Sequence, residues 1–118
     1  MQAHKKDSGR SFVPPGHTKA EAQILFSREN GSHKASILIT TLQVGGGSTV
    51  EEVHENSDQV FYVLQGTVAA YSNDKRIATL QAGDGMHVPA GEPHAFKNAG
   101  ETPCKLYIVT VPPIGDTR

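Results

Sequence analysis

The sequence predicts an all-β protein, a closed barrel or jelly roll of short strands. Three observations carry this. About eight or nine β-prone runs recur at regular spacing, each bounded by turn residues. Glycine and proline are abundant, at 12 and 7 of 118 residues, which suits strands joined by tight turns. No segment holds a sustained helical period.

The elements follow in order. Residues 1–21 are polar and contain Pro14-Pro15-Gly16, so they read as an extended arm, partly disordered or packed on a neighbour. Residues 22–28 form the first predicted strand, and Asn30-Gly31 a turn. The longest β-prone run covers residues 34–44, where Gly45-Gly46-Gly47 is expected to break it. Val60–Leu64 is a strand ending at Gln65-Gly66. Thr67–Tyr71 and Arg76–Leu80 flank a turn at Asn73-Asp74. Lys105–Val111 is the last strand, stopped by Pro112-Pro113. The division is an arm over 1–21, a barrel over 22–113 and a tail over 114–118. Closure removes most sheet edges, and the remaining edges often pair between subunits. The 34–44 strand with the arm is therefore the expected homodimer surface.

Charge and composition exclude several classes. A net charge of −1 offers no attraction for nucleic acid or an anionic membrane. No apolar run approaches the roughly 18 residues of a membrane span. The first residues, Met-Gln-Ala-His-Lys-Lys-Asp, lack the apolar stretch of a secretory signal, so the expected location is cytoplasmic. The single cysteine, Cys104, has no internal disulfide partner and reads as a small buried hydrophobe.

Residues 83–98 carry the densest motif: Gly-Asp-Gly-Met-His-Val-Pro-Ala-Gly-Glu-Pro-His-Ala-Phe-Lys-Asn. Pro89 ends an incoming strand, Gly91 allows a tight turn, and His94 opens the returning strand with its imidazole aimed inward. With Gly83, Pro89, Gly91, His94 and Asn98 at fixed places, this stretch resembles the second signature of the cupin family. Cupins are small double-stranded β-helix (jelly-roll) barrels that usually carry one metal ion. Their first signature, G-x5-H-x-H-x3–4-E-x6-G, is met here in altered form by Gly46, Glu52, His54, Gln59 and Gly66. Glu52 stands where the first His is expected, and Gln59 where the Glu is expected. The resemblance covers most of the chain after about residue 22.

The resemblance implies a metal site at Glu52, His54, Gln59 and His94. On a strand, Glu52 and His54 would share one face. Gln59 would enter from the next strand and His94 from the second hairpin. The usual cupin set is three His and one Glu. This set keeps the same total charge, with the carboxylate moved from the third position to the first. Two His and one carboxylate also form the facial triad associated with non-haem Fe(II). Gln59 is either a weak fourth ligand through its side-chain oxygen or a donor to a substrate.

Competing readings stand beside each residue. His94 and His54 also suit hydrogen-bonded core histidines. Glu52 lies in the acidic run Glu51-Glu52-Val53-His54-Glu55 and also suits a solvated face. Phe61, Val63, Met86, His87 and Phe96 are candidates to line the pocket, with His87 equally suited to a structural role. His4, His17 and His33 sit in polar surroundings and are expected to be exposed.

The functional expectation is one divalent transition metal (Fe, Mn, Ni, Zn or Cu) serving a metal-dependent enzyme of dioxygenase, isomerase or lyase type. Its substrate would be a small oxygenated organic molecule. The size and the Gln at the third ligand position resemble the cupins that linearise unsaturated uronates, from which Glu52 departs. The alternative is a non-catalytic barrel that binds a sugar or organic acid, with or without metal.

Overall fold

A computed structural model describes residues 1–114, and within them the chain is almost wholly β. The strands are β1 (Ser11–Phe12), β2 (His17–Phe26), β3 (Ser36–Ser48), β4 (Asp58–Gln65), β5 (Thr67–Ser72), β6 (Lys75–Gln81), β7 (Gly85–Val88), β8 (Ala95–Asn98) and β9 (Cys104–Val111). The described pairings are antiparallel, in the order β6-β5-β8-β3-β9-β4-β7, with β2 on β3 and β1 on β2. Val63 exchanges backbone hydrogen bonds with the β6–β7 turn, donating to Asp84 O and accepting from Gly83 N, both at 2.9 Å. These tie β4 to the turn after β6 and help roll the sheet into a barrel.

Strand β2 begins at His17, five residues before the predicted start, and ends at Phe26. Its first residues are polar because His17 faces the cavity and Thr18 and Lys19, at a bulge, are both exposed. The inward ones, Ala20, Ala22 and Ile24, are buried. Ser27 and Arg28, expected to extend this strand, instead open a short 3-10 turn. The Ser27 hydroxyl accepts from Glu29 N, and Asn30 Oδ1 accepts from Ser27 N. The arm packs on its own barrel: Ser11 and Phe12 pair with Gln23 and Ala22.

The glycine triplet bends β3 without ending it. Residues 37–42 pair with both β2 and β9, whereas Gly47 faces Thr18 of β2 and Lys97 of β8. Gly47 has φ +140°, and a Cβ there would lie 2.3 Å from Phe96 O. Only glycine permits this close approach. The strand can thus change partners at that point and deliver Ser48 to the barrel mouth. Because both edges of β3 are filled within the chain, the 34–44 run is an interior strand, and the expected edge-to-edge dimer surface is corrected. Asn73 and Asp74, both at positive φ, make the tight β5–β6 turn that the sequence predicts.

The core fills one half of the barrel. Leu42, Val63, Val68, Cys104 and Leu106 are at most 1% exposed and form its centre. A smaller cluster of Ala22, Ile24 and Leu38 sits under β2, with Phe12 and Ile108 against it. Burial raises the Cys104 thiol pKa above its ordinary value, as fits an inert packing residue.

Candidate metal centre

The open half of the barrel holds a cavity of about 40 Å³, lined by His17, Glu52, His54, Gln59, His94 and Ser48. Phe61, Phe96, Leu38, Ile108, Thr40 and Pro14 complete its wall. That volume is about three times what one water requires. It suits an ion with a small ligand and not a sugar chain.

Segments distant in sequence bring the polar groups together. Residues 49–57 between β3 and β4 are not a strand, yet Glu52 and His54 face the same cavity while Val53 between them is exposed. Glu52 is held by a reciprocal pair of backbone hydrogen bonds with His94, at 2.8 and 3.0 Å. His54 is held by its carbonyl, which accepts from Gly91 N at 2.9 Å. The positive φ of Gly91 (+84°) turns its N–H toward that carbonyl, so the Pro89–Gly91 turn positions residue 54 as well as His94.

The side chains converge as follows. His54 Nε2 lies 3.5 Å from Glu52 Oε2. The rings of His54 and His94 are 5.1 Å apart. His94 Nδ1 is 3.0 Å from Glu92 O, so the ring donates there and, in its neutral form, leaves the lone pair on Nε2, the arrangement metal-binding imidazoles adopt. Phe61 and Phe96 stack at 3.9 Å beneath His94 and form an apolar floor.

Gln59 is the most informative residue. It is 6% exposed, its amide nitrogen donates to Thr110 Oγ1 at 3.0 Å, and its Oε1 is buried without a hydrogen-bond partner. An unsatisfied buried carbonyl costs about 1–3 kcal/mol, so a cation or donor seated in this pocket would relieve it. That orphan oxygen and the His94 lone pair are what a metal site requires. Among the described residues, however, no three His, Cys, Asp or Glu side chains converge tightly enough to hold one ion as they stand.

The remaining expected positions are distributed by strand parity. Val63 is fully buried in the core and Met86 packs against it, so neither lines the cavity. His87 alternates outward, opposite Val60. Its Nε2 lies 3.1 Å from Asp58 Oδ2 on the outer surface, which corrects the pocket-lining expectation. Asp58 also accepts from Ala90 N at 2.8 Å. That bond, followed by the one to His87, holds the Asp58 pKa below its usual value. His33 is exposed, as expected, while His4 is half-buried against the edge of Phe26.

His17 was the residue to miss. Expected to be exposed, its side chain is only 14% exposed, with Nε2 3.4 Å from Glu52 Oε1. No motif marks it. The only trace in the sequence is its place after Pro14-Pro15-Gly16, where β2 begins opposite Ser48.

Comparison with known proteins gives the family. The cupin domain model matches residues 38–110. The chain is 27% identical over 96 residues to an oxalate-binding protein of Thermotoga maritima, covering 81% of this chain and 78% of that protein. A crystal structure from Thermus thermophilus is 31% identical, with a TM-score of 0.70 and coverage of 80% and 84% of the two chains. A predicted oxalate decarboxylase from Thermotoga maritima superposes with a TM-score of 0.81 at 22% identity, covering 95% of this chain and 100% of that one. At that identity the likeness is one of fold. The matched span includes both halves of the altered metal signature, and the chain belongs to the cupin domain family.

Proposed function

We propose that the chain binds one divalent transition-metal ion (Fe, Mn, Ni, Zn or Cu) at Glu52, His54, Gln59 and His94. Through that ion it would bind a small oxygenated organic acid, of about the size of oxalate. The observation that carries the metal reading is the orphan Oε1 of Gln59, buried in the same cavity as the three other groups. When bound, the metal supplies positive charge and Lewis acidity to carboxylate or carbonyl oxygens.

Electrostatics supports the order of binding. The cavity wall contains Glu52 and no lysine or arginine. An acid anion entering alone would meet a carboxylate in a partly desolvated site, which is unfavourable. A divalent ion against one carboxylate leaves the site net positive and reverses that repulsion. The likeness to an oxalate-binding protein and the small cavity favour a compact acid over a uronate.

A metal-dependent enzyme is the second reading, and Glu52 favours it. It is the single carboxylate on the cavity wall, and when not bound to the ion it could act as a general base beside the histidines. The expected homodimer falls, on this reading, on the outer sheet face. There Val60, Tyr62 and Tyr107 are exposed and Tyr62 faces Tyr107 across the β4–β9 ladder. A monomeric mass by light scattering would reject that surface.

The functional test is elemental analysis followed by calorimetric titration of oxalate into chelated and metal-loaded protein. One ion per chain and oxalate binding only in the loaded form are expected. Oxalate binding of equal strength in the chelated form would overturn the metal-first reading. Consumption of oxalate by the loaded protein would select the enzyme.

A further inference from the structure

We propose that His17, carried in by strand β2 from outside both signatures, supplies the third imidazole to the cation held at Glu52, His54 and His94. This rests on the metal reading above and adds to it a ligand that the motif spacing does not contain.

Three observations carry it. His17 Nδ1 lies 2.9 Å from Pro15 O, so the ring donates there and a neutral His17 turns the lone pair of Nε2 to the cavity. His94 is fixed in the same way by Glu92 O. Both rings thus present acceptor nitrogens inward, each oriented by a backbone carbonyl.

The second observation is the spacing around Glu52. His17 Nε2 is 3.4 Å from Oε1, and His54 Nε2 is 3.5 Å from Oε2. Donors bound at about 2.1 Å to one tetrahedral ion stand about 3.4 Å apart. A neutral imidazole nitrogen and a carboxylate oxygen facing at this distance are both acceptors, and a cation between them would satisfy both. Ser48 Oγ stands 3.4 Å from the same Nε2 and accepts from Phe96 N at 3.0 Å, so its O–H can donate a long hydrogen bond to that nitrogen until a cation takes the lone pair.

The third observation is independent of histidine. Gln59, whose buried Oε1 has no hydrogen-bond partner, lines the same cavity. With His17 the donor set becomes three imidazoles and one carboxylate, with an amide oxygen beside them. The composition of the usual cupin set is thereby restored, with its third imidazole drawn from a different strand. The early start of β2 follows from the same design: pairing of His17 with Ser48 delivers the ring to the mouth.

The test is NMR of histidine-labelled full-length protein titrated with Zn²⁺, reading each imidazole nitrogen separately, with Zn²⁺ affinity measured in parallel for His17→Ala and His17→Gln. The Nε2 signals of His17, His54 and His94 should all move to the metal-bound position at one equivalent, with His33 unmoved. The affinity should fall about 100-fold or more in both variants, at or beyond the upper end of the 10–100-fold loss typical of an orienting partner. Unchanged far-ultraviolet circular dichroism checks that the variants fold. Movement of His54 and His94 with His17 unmoved would overturn this inference and leave the metal reading intact. Movement of none would overturn both.

Discussion

The two ends of the barrel interior are built from the same strands and behave as different materials. The β4–β9 ladder shows the change in three steps. Val63 faces Leu106, Phe61 faces Ile108, and Gln59 faces Thr110. The first pair is sealed, at 0% and 1% exposure. The second lines the cavity with apolar side chains. The third places a hydrogen-bonded amide with one orphan oxygen at the wall. Inward parity is kept throughout, and only the chemistry of the inward residue changes. One end therefore serves stability, while the other accepts an unsatisfied polar atom that a ligand can satisfy. Barrels can divide labour in this way because each strand contributes to both ends, and sites placed on strands are held rigidly.

Breaking the closed end should give the largest effect. Leu106→Ala should cost about 3 kcal/mol of stability, the usual range for a fully buried leucine. Urea unfolding would measure it, and Zn²⁺ affinity of the folded protein should stay unchanged. A loss of affinity equal to that of a ligand variant would show that the two ends are not separable.

Breaking the open end should do the converse. His94→Ala should abolish stoichiometric metal with the barrel still folded, since a core of this size does not need a structural ion. Metal retained at one per chain by elemental analysis would place the site elsewhere. Glu52→Gln keeps the shape and removes the charge. It should weaken Zn²⁺ about 100-fold and, in the chelated protein, remove the repulsion toward oxalate. Gln59→Glu should sharpen the comparison by changing charge at the orphan oxygen. Tighter divalent binding and weaker oxalate binding are expected, because the loaded site loses its net positive charge. Unchanged affinity in a calorimetric titration would put Gln59 out of reach of the ion.

The smallest effect lies on the outer surface. The Asp58 pKa is lowered by its bond from Ala90 N and then by His87. A lowered carboxyl pKa means that its contribution is fully present above the unfolded value, about 3.9. It is then lost as pH falls through the folded value. Asp58→Asn should therefore lower stability modestly near neutral pH and flatten the pH dependence below about pH 4. The group is exposed, so the change should be small. Parallel pH profiles for the two proteins would reveal a mismatch.

Much of the fold was legible because turn chemistry and alternation are local. Asn73-Asp74, Gly83-Asp84-Gly85 and Pro89 to Gly91 bracket β5 to β8 within a residue or two of where they lie. His87 was misread because parity within a short strand leaves inward and outward equally open until one neighbour is known to be buried. Met86 and Val88 settle it. The glycine triplet was misread because glycine both ends strands and permits close approach, and only the packing of Phe96 and Lys97 on Gly47 distinguishes these.

The sequence by itself determined the all-β class, the second hairpin that carries His94, and that Glu52, His54, Gln59 and His94 belong to one cavity, because those features are encoded by spacing along one stretch of chain. The tertiary structure alone decided the rest. It put His17 beside Glu52, turned His87 away, left Gln59 Oε1 without a partner and enclosed β3 on both edges. The physical reason is that each of these depends on which distant strand lies alongside. Strand pairing is a long-range choice, made by closure of the whole barrel and not by any local run of residues.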